Sequence, residues 1–178
     1  MKKVFTANLS EFSINKLRRN LEDYRKELPN KVAKALSILA DKGILVAEEK
    51  ANESGTFGKC VQFEKTVPQI AGNEVTAIMR GVDLGIEKSW QQADGTVKTA
   101  NVNALLMLEF GSGAYADGEH RGTFPDSIHS FEPNGWYFKP VGSNQWVHSF
   151  GYKPKQPMLN AFREMEEQIQ SAFEEAFR

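Results

Sequence analysis

The sequence has one cysteine, no long apolar run and almost no net charge. Among its 178 residues the single thiol is Cys60, which excludes an internal disulfide framework and fits a reducing compartment. A chain of this length buries roughly 70 % of the surface its unfolded form exposes, enough for a core without disulfides or structural metal. The opening MKKVFTANLSEF carries two lysines but no apolar stretch of the signal-peptide kind. No later stretch approaches the roughly 20 apolar residues of a membrane span. With 22 Lys/Arg against 23 Asp/Glu, the formal charge of -1 gives no global drive toward nucleic acid or an anionic membrane. A secreted miniprotein, a membrane-spanning protein and a disordered tail are thereby set aside, which leaves a soluble globular domain.

The small total hides an uneven distribution. Residues 1–50 carry eleven Lys/Arg against seven Asp/Glu, whereas residues 157–178 carry two against five. A basic head and an acidic tail attract one another, within a protomer or between neighbours, or else are ordinary solvated helix faces.

Hydrophobic spacing predicts a helix first. Ile14, Leu17, Leu21, Tyr24 and Leu28 are spaced 3, 4, 3 and 4, one stripe of a helix. Asn8 with Glu11, or Ser10 or Ser13 alone, supplies a cap. Pro29 removes a backbone donor and disfavours helical geometry at Leu28, so a break or kink is expected there. The stripe resumes as Val32, Ala35, Leu36, Leu39 and Val46 toward Ala51, with Gly43 inside it at a cost of about 1 kcal/mol relative to alanine.

From Gly55 the period changes from helical to alternating. Lys59–Val67, Glu74–Val82, Ile86–Gln92 and Val97–Asn101 are expected strands, the last two joined by an Asp94-Gly95 hairpin turn. Cys60 then falls mid-strand, as a small packed residue. Leu105–Phe110 fits either a buried strand or a short helix. A glycine- and proline-rich loop spans 111–135, and the short aromatic strands Trp136–Lys139 and Trp146–Phe150 follow. Pro157 opens a helix with Met158, Phe162, Met165, Ile169, Ala172, Phe173 and Phe177 on one face. The expected fold is α+β in a single domain, 1–178. It comprises an N-terminal helix or kinked helix pair (1–51), a β-rich body (55–156) forming an antiparallel sheet or small open barrel, and a C-terminal amphipathic helix (157–178).

Patterns that carry chemistry are sparse. Gly111-Ser112-Gly113-Ala114-Tyr115-Ala116 has the spacing of a dinucleotide turn, but turn formers follow it where a helix must begin. His120, His129 and His148 lie near Asp117, Glu119 and Asp126 without metal-ligand spacing. No G-x-S-x-G elbow is present, and Glu48-Glu49, Glu166-Glu167 and Glu174-Glu175 are adjacent residues of helix faces. No catalytic residue, metal or cofactor is expected. Phe124, Phe131, Trp136, Tyr137, Phe138, Trp146, Phe150 and Tyr152 crowd together beside Lys139, Lys153 and Lys155. Such a mixture suits a core and a protein interface, or a base-stacking surface. Four Lys/Arg against five Asp/Glu over 101–156 leave the second without its electrostatic term. Tyr115, Phe124, Phe131, Trp136 and Trp146 are the candidate interface residues.

Leu105-Leu106-Met107-Leu108-Glu109-Phe110-Gly111-Ser112-Gly113 resembles the run ending in E-F-G-[TS]-G found in small neck proteins of tailed bacteriophages, the tail-completion or head–tail joining proteins. The family continues with a variable loop, then a glycine- and proline-bearing stretch that opens a terminal helix. Gly151, Pro154, Pro157, Leu159 and Ala161 match that stretch, whereas Met158 and Asn160 stand where the family often has Phe and Pro. The resemblance implies a non-enzymatic virion part, built in the bacterial host cytoplasm and residing in the tail or neck. It also implies a homo-oligomeric ring that meets tail-tube, terminator or connector proteins, with no membrane and no role for nucleic acid. The motif itself has a structural reading: Gly111 and Gly113 supply positive φ at a sharp exit. Glu109 accepts hydrogen bonds that hold the turn or meets a basic neighbour, and Pro157 presets a first helical turn. The alternative from another class is a nucleic-acid-contacting module using the aromatic and basic region 136–155. A hydrolase built on His120 or His148 would need a carboxylate beside one of them, which no spacing supplies.

Overall fold

A computed structural model describes residues 10–116 and 133–178. The architecture is α+β. Helix α1 runs unbroken from Glu11 to Asn52, with the Ser10 hydroxyl accepting from the Ser13 backbone N–H. At 1.5 Å per residue it is a rod of roughly 63 Å. Pro29 lies inside it, so the break expected there does not occur. One missing donor interrupts a single rung of the ladder, and long helical runs on both sides carry the propagation across it.

Strands β1 (Val61–Lys65), β2 (Gln69–Ala71), β3 (Glu74–Thr76) and β4 (Met79–Asp83) form one long interrupted hairpin, with β1 antiparallel to β4 and β2 to β3. Pro68, lacking an N–H, sits at the interruption. The Thr66 hydroxyl accepts from Ile78 N–H there at 3.0 Å, so pairing continues through a side chain. Val75, Ala77 and Met79 are half-buried and alternate with exposed neighbours, as the period-two pattern requires. Cys60 is a correction: it closes a 3₁₀ turn, Gly58–Cys60, ahead of β1. Strands β5 (Ile86–Gln91) and β6 (Val97–Val102) make a second hairpin around Asp94-Gly95, whose Asp94 carboxylate accepts from Thr96 N–H at 2.9 Å.

The ambiguous apolar run is helix α2, Ala104–Phe110, capped by the Asn103 side chain. Strands β7 (Trp136–Phe138) and β8 (Val147–Ser149) form a third hairpin, tied to β5 by Gln91 N–H donating to the Lys139 carbonyl at 2.9 Å. The described strands therefore pair two by two and antiparallel, without closing into the barrel considered as one option. The chain ends in α3 (Pro157–Glu167) and α4 (Ile169–Ala176), a helix only slightly bent at Gln168, whose N–H still donates to the Glu164 carbonyl.

Helices α3 and α4 lie antiparallel along the second half of α1. Ala47, Ala51, Phe63, Leu108 and Ala161 form the buried centre, flanked by Ile44, Phe57, Val61, Met79, Leu105, Tyr152 and Met158. The helix faces that meet there are lined mostly with small residues: Ala35, Ala40, Gly43, Ala47 and Ala51 from α1, with Leu39 the one larger buried side chain, and Ala161, Ala172 and Ala176 from the closing helices. A Cβ on Gly43 would sit 2.9 Å from the sulfur atoms of both Met165 and Met79, so this glycine marks close approach rather than weakness. The expected apolar face of the closing helix is corrected here. Phe162 and Ile169 are exposed, and Ala161, Ala172 and Ala176 take the contact, of which Ala172 stood in the expected face. Short side chains let two helix axes come near, which the larger residues would prevent.

Candidate functional site

The two segments that carried the sequence resemblance, 109–113 and 151–161, meet in space as one joint. Its floor is α2, whose Leu108 is buried and whose Leu108 carbonyl accepts from both Lys155 N–H (2.7 Å) and Gln156 N–H (3.0 Å). From the next residue, the Glu109 carboxylate spans the start of α3. One oxygen accepts from Met158 N–H at 2.9 Å and the other from Leu159 N–H at 3.0 Å. Pro157 occupies the first turn and has no N–H to satisfy, and Gln156 before it adopts a left-handed conformation with φ 53° and offers no side-chain cap. A helix N-terminus needs acceptors for its unpaired N–H groups and favours negative charge. Glu109 supplies both from a distant element. Glu109 is thus an acceptor, but for the start of α3 rather than for the turn at 111–113 that it was expected to hold.

Past Glu109 the chain leaves α2 through Gly111, at φ 72°. A Cβ there would lie 2.7 Å from both Pro154 Cδ and the Tyr152 carbonyl oxygen. Ser112 then pairs with Tyr152 in both directions, its N–H donating at 2.9 Å and its carbonyl accepting at 3.2 Å. The buried Ser112 hydroxyl accepts a further bond from Tyr152 N–H at 3.1 Å. Gly113, at φ 62°, passes so close to Phe150, Trp136 and Gly151 that a Cβ would contact all three, and Ala114 N–H donates to the Phe150 carbonyl at 2.9 Å. Only glycine combines positive φ with such contact at no steric cost. Residues 111–116 are thus hydrogen-bonded to the body, which corrects their assignment to one continuous open loop with 117–135.

Ala161 is buried in the core cluster, Leu159 is half-buried, and Phe110 is half-buried at the end of α2. Of the candidate interface residues, Tyr115 is exposed with the Lys153 ammonium 5.2 Å from its ring centroid, and Trp146 is exposed beside β8. Trp136 is half-buried against Gly113. Phe124 and Phe131, like His120 and His129, lie outside the described residues.

Sequence reasoning singled out Tyr137 and Phe150 within the region 136–155 but not the histidine of the third hairpin that joins them. Tyr137 and His148 are directly paired across β7 and β8, with ring centroids 4.5 Å apart, and His148 meets Phe150 edge-on at 4.4 Å. Tyr137 and Phe150 are exposed. The signal was available in the period of two, which sends Trp136 and Phe138 to one face and Tyr137 to the other. His148 is therefore a strand residue in an aromatic row rather than a loop histidine. Opposite, Tyr152 packs edge-on against Phe57 at 4.8 Å.

Among the described residues no group of three or more His, Cys, Asp or Glu is arranged to hold a metal ion, and no helix is long and apolar enough to cross a membrane. A shallow cleft of about 230 Å³ is lined by Glu48, Ala51, Asn52, Gly58, Val61, Gln62 and Phe63; its one ionisable group, Glu48, has no titratable partner in that lining. Beside the joint, Glu53 links α1 to the closing segment, accepting from Lys50 at 2.7 Å and Lys155 at 3.1 Å. Hydrogen bonds from Lys50, then Lys155, hold its carboxyl below the usual glutamate range.

The class of protein these observations define is an α+β protein with a long N-terminal helix and an architectural glycine–glutamate joint. Comparison with family models, curated proteins and solved structures finds nothing that matches the chain.

Proposed function

We propose that the chain is a structural protein of a tailed-phage or prophage virion, completing the tail or joining it to the head connector as a ring. The observation that carries this reading is the joint. The segments that resemble the neck-protein motif have 37 residues between them, yet the Glu109 carboxylate and the Ser112 hydroxyl of the first both accept from backbone N–H groups of the second. Such a motif preserves the relative placement of α2, the third hairpin and the closing helix, as a part that must fit identical neighbours requires. Exposed Tyr115, Tyr137, Trp146 and Phe150 around that frame supply contact area of the kind enriched at protein interfaces.

The test is loss of the gene in its native genome. The expected result is filled heads and separate tails, with the chain found by mass spectrometry in intact particles and absent from both separated parts of the mutant lysate. Intact infectious particles without the chain would overturn the reading. The exposed aromatic row also supports a stacking surface for single-stranded nucleic acid. Salt-dependent retention of a short oligonucleotide, lost in Tyr137→Ala, would favour that second reading over the first.

A further inference from the structure

The first half of α1 and the outer face of α3–α4 are both exposed, and they match. On α1, Ile14 is 49 % and Leu21 46 % exposed, with half-buried Leu17 between them. On the closing helices, Phe162 is 54 % and Ile169 49 % exposed, with Glu166 between them. The steps from Ile14 are three then four, and those from Phe162 are four then three. Laid antiparallel, the rows place Ile14 against Ile169, Leu17 against Glu166 and Leu21 against Phe162. Alternating steps of three and four define a narrow seam suited to another helix. Antiparallel is also how α3–α4 already lie on α1, with Lys42 bonded to Gln168 at 2.7 Å and Lys31 5.6 Å from the Phe177 ring.

Charge selects the same partner. Residues 14–31 carry six Lys/Arg against three Asp/Glu, and residues 157–178 two against five. The lineup sets Arg18 beside Glu166. Pairing α1 with another α1 antiparallel about Leu21 would instead oppose Lys16 to Lys26, a like-charge contact, and Leu17 to Arg25. Nor can the rows meet within one chain. Gly43, which faces Met165, is about 33 Å along a continuous helix from Leu21.

We infer that the exposed stripe Ile14–Leu17–Leu21 of one copy docks antiparallel on the Phe162–Ile169 face of a second copy. The two patches differ, so the contact is heterologous and propagates head to tail until it closes a ring or extends as a filament. The inference deepens the reading above by naming the surfaces, and it rests on that reading for closure into a ring.

Site-directed cross-linking of concentrated full-length protein tests it, with Cys60→Ser in every variant. Mixing Ile14→Cys protein with Ile169→Cys protein should give a mixed disulfide dimer on mild oxidation. A chain carrying both cysteines should give a ladder or a single closed species. Arg18→Glu should lower the mixed yield by up to about fivefold, the size of one exposed ion pair, and Glu166→Arg in the partner should restore it. A mixed yield no higher than that of an exposed turn control, Asn73→Cys, overturns the inference. So does Leu21→Cys protein cross-linking to itself as efficiently, which would place α1 on α1. Cross-linking that succeeds with a chain absent from particles sinks the virion reading alone; a chain present in particles that fails to cross-link sinks this contact alone.

Discussion

The two halves of α1 invert the usual distribution of side-chain size. From Ala35 to Ala51 the fully buried positions are alanine or glycine with one leucine, Leu39, whereas Phe12, Ile14, Leu21 and Leu28 of the first half are exposed. Burial in the second half comes from backbone proximity, since small residues let α3 and α4 lie close. The first half holds apolar area that the described residues do not cover. Stability and association are therefore separable along one helix, and substitutions can tell them apart.

The largest effect is expected in the core that seats the second half. Leu108→Ala should destabilise the fold by about 2–5 kcal/mol, the range for truncating a buried leucine, read from denaturant unfolding. Overpacking comes next: Gly43→Val forces both methionine sulfur atoms aside and should cost about 1–3 kcal/mol. Glu109→Gln keeps one of the two acceptors, sets an amide NH2 against the other N–H and loses the charge at the α3 N-terminus, a loss of about 1–3 kcal/mol. Leu17→Ser, in the exposed half, should leave unfolding within about 0.5 kcal/mol while abolishing the head-to-tail cross-link. An unfolding penalty as large as that of Gly43→Val would erase the distinction between the halves.

The smallest effect is a pH dependence at the end of the buried half. Glu53 has its folded pKa lowered by hydrogen bonds from Lys50 and Lys155. Its contribution is present above the ordinary glutamate range and is lost as pH falls through the lowered folded value. Solvent exposure and salt screening keep it small. The acid limb of a thermal-stability profile should flatten in Glu53→Gln and in high salt; an unchanged limb would remove the role of this link.

What could be read from the sequence was what short-range chemistry decides. Ser10 as a cap, the Asp94-Gly95 turn, Pro157 at the first turn of α3 and the alternation through Val75, Ala77 and Met79 all depend on residues within a few positions. Pro29 misled because its local cost is real, yet the helical runs beside it outweigh it. Phe162 and Ile169 misled because apolar periodicity gives the helix but not which edge of the stripe touches its neighbour. The joint was half legible. Glycine at 111 and 113 announced a positive φ, but no local pattern tells which helix the Glu109 carboxylate caps, because Met158 and Leu159 lie 49 and 50 residues away.

That separation has a consequence for the order of folding. A helix capped by its own residues can nucleate alone, whereas the start of α3 gains its acceptors only after the loop back to α2 has closed, at a cost in chain entropy. Docking of the closing helices is thereby coupled to formation of the middle of the chain, and until it happens the alanine face of α1 stays uncovered. Glu109→Gln should then slow refolding little and speed unfolding more if the cap forms after the transition state. The opposite partition would place Glu109 in the folding nucleus.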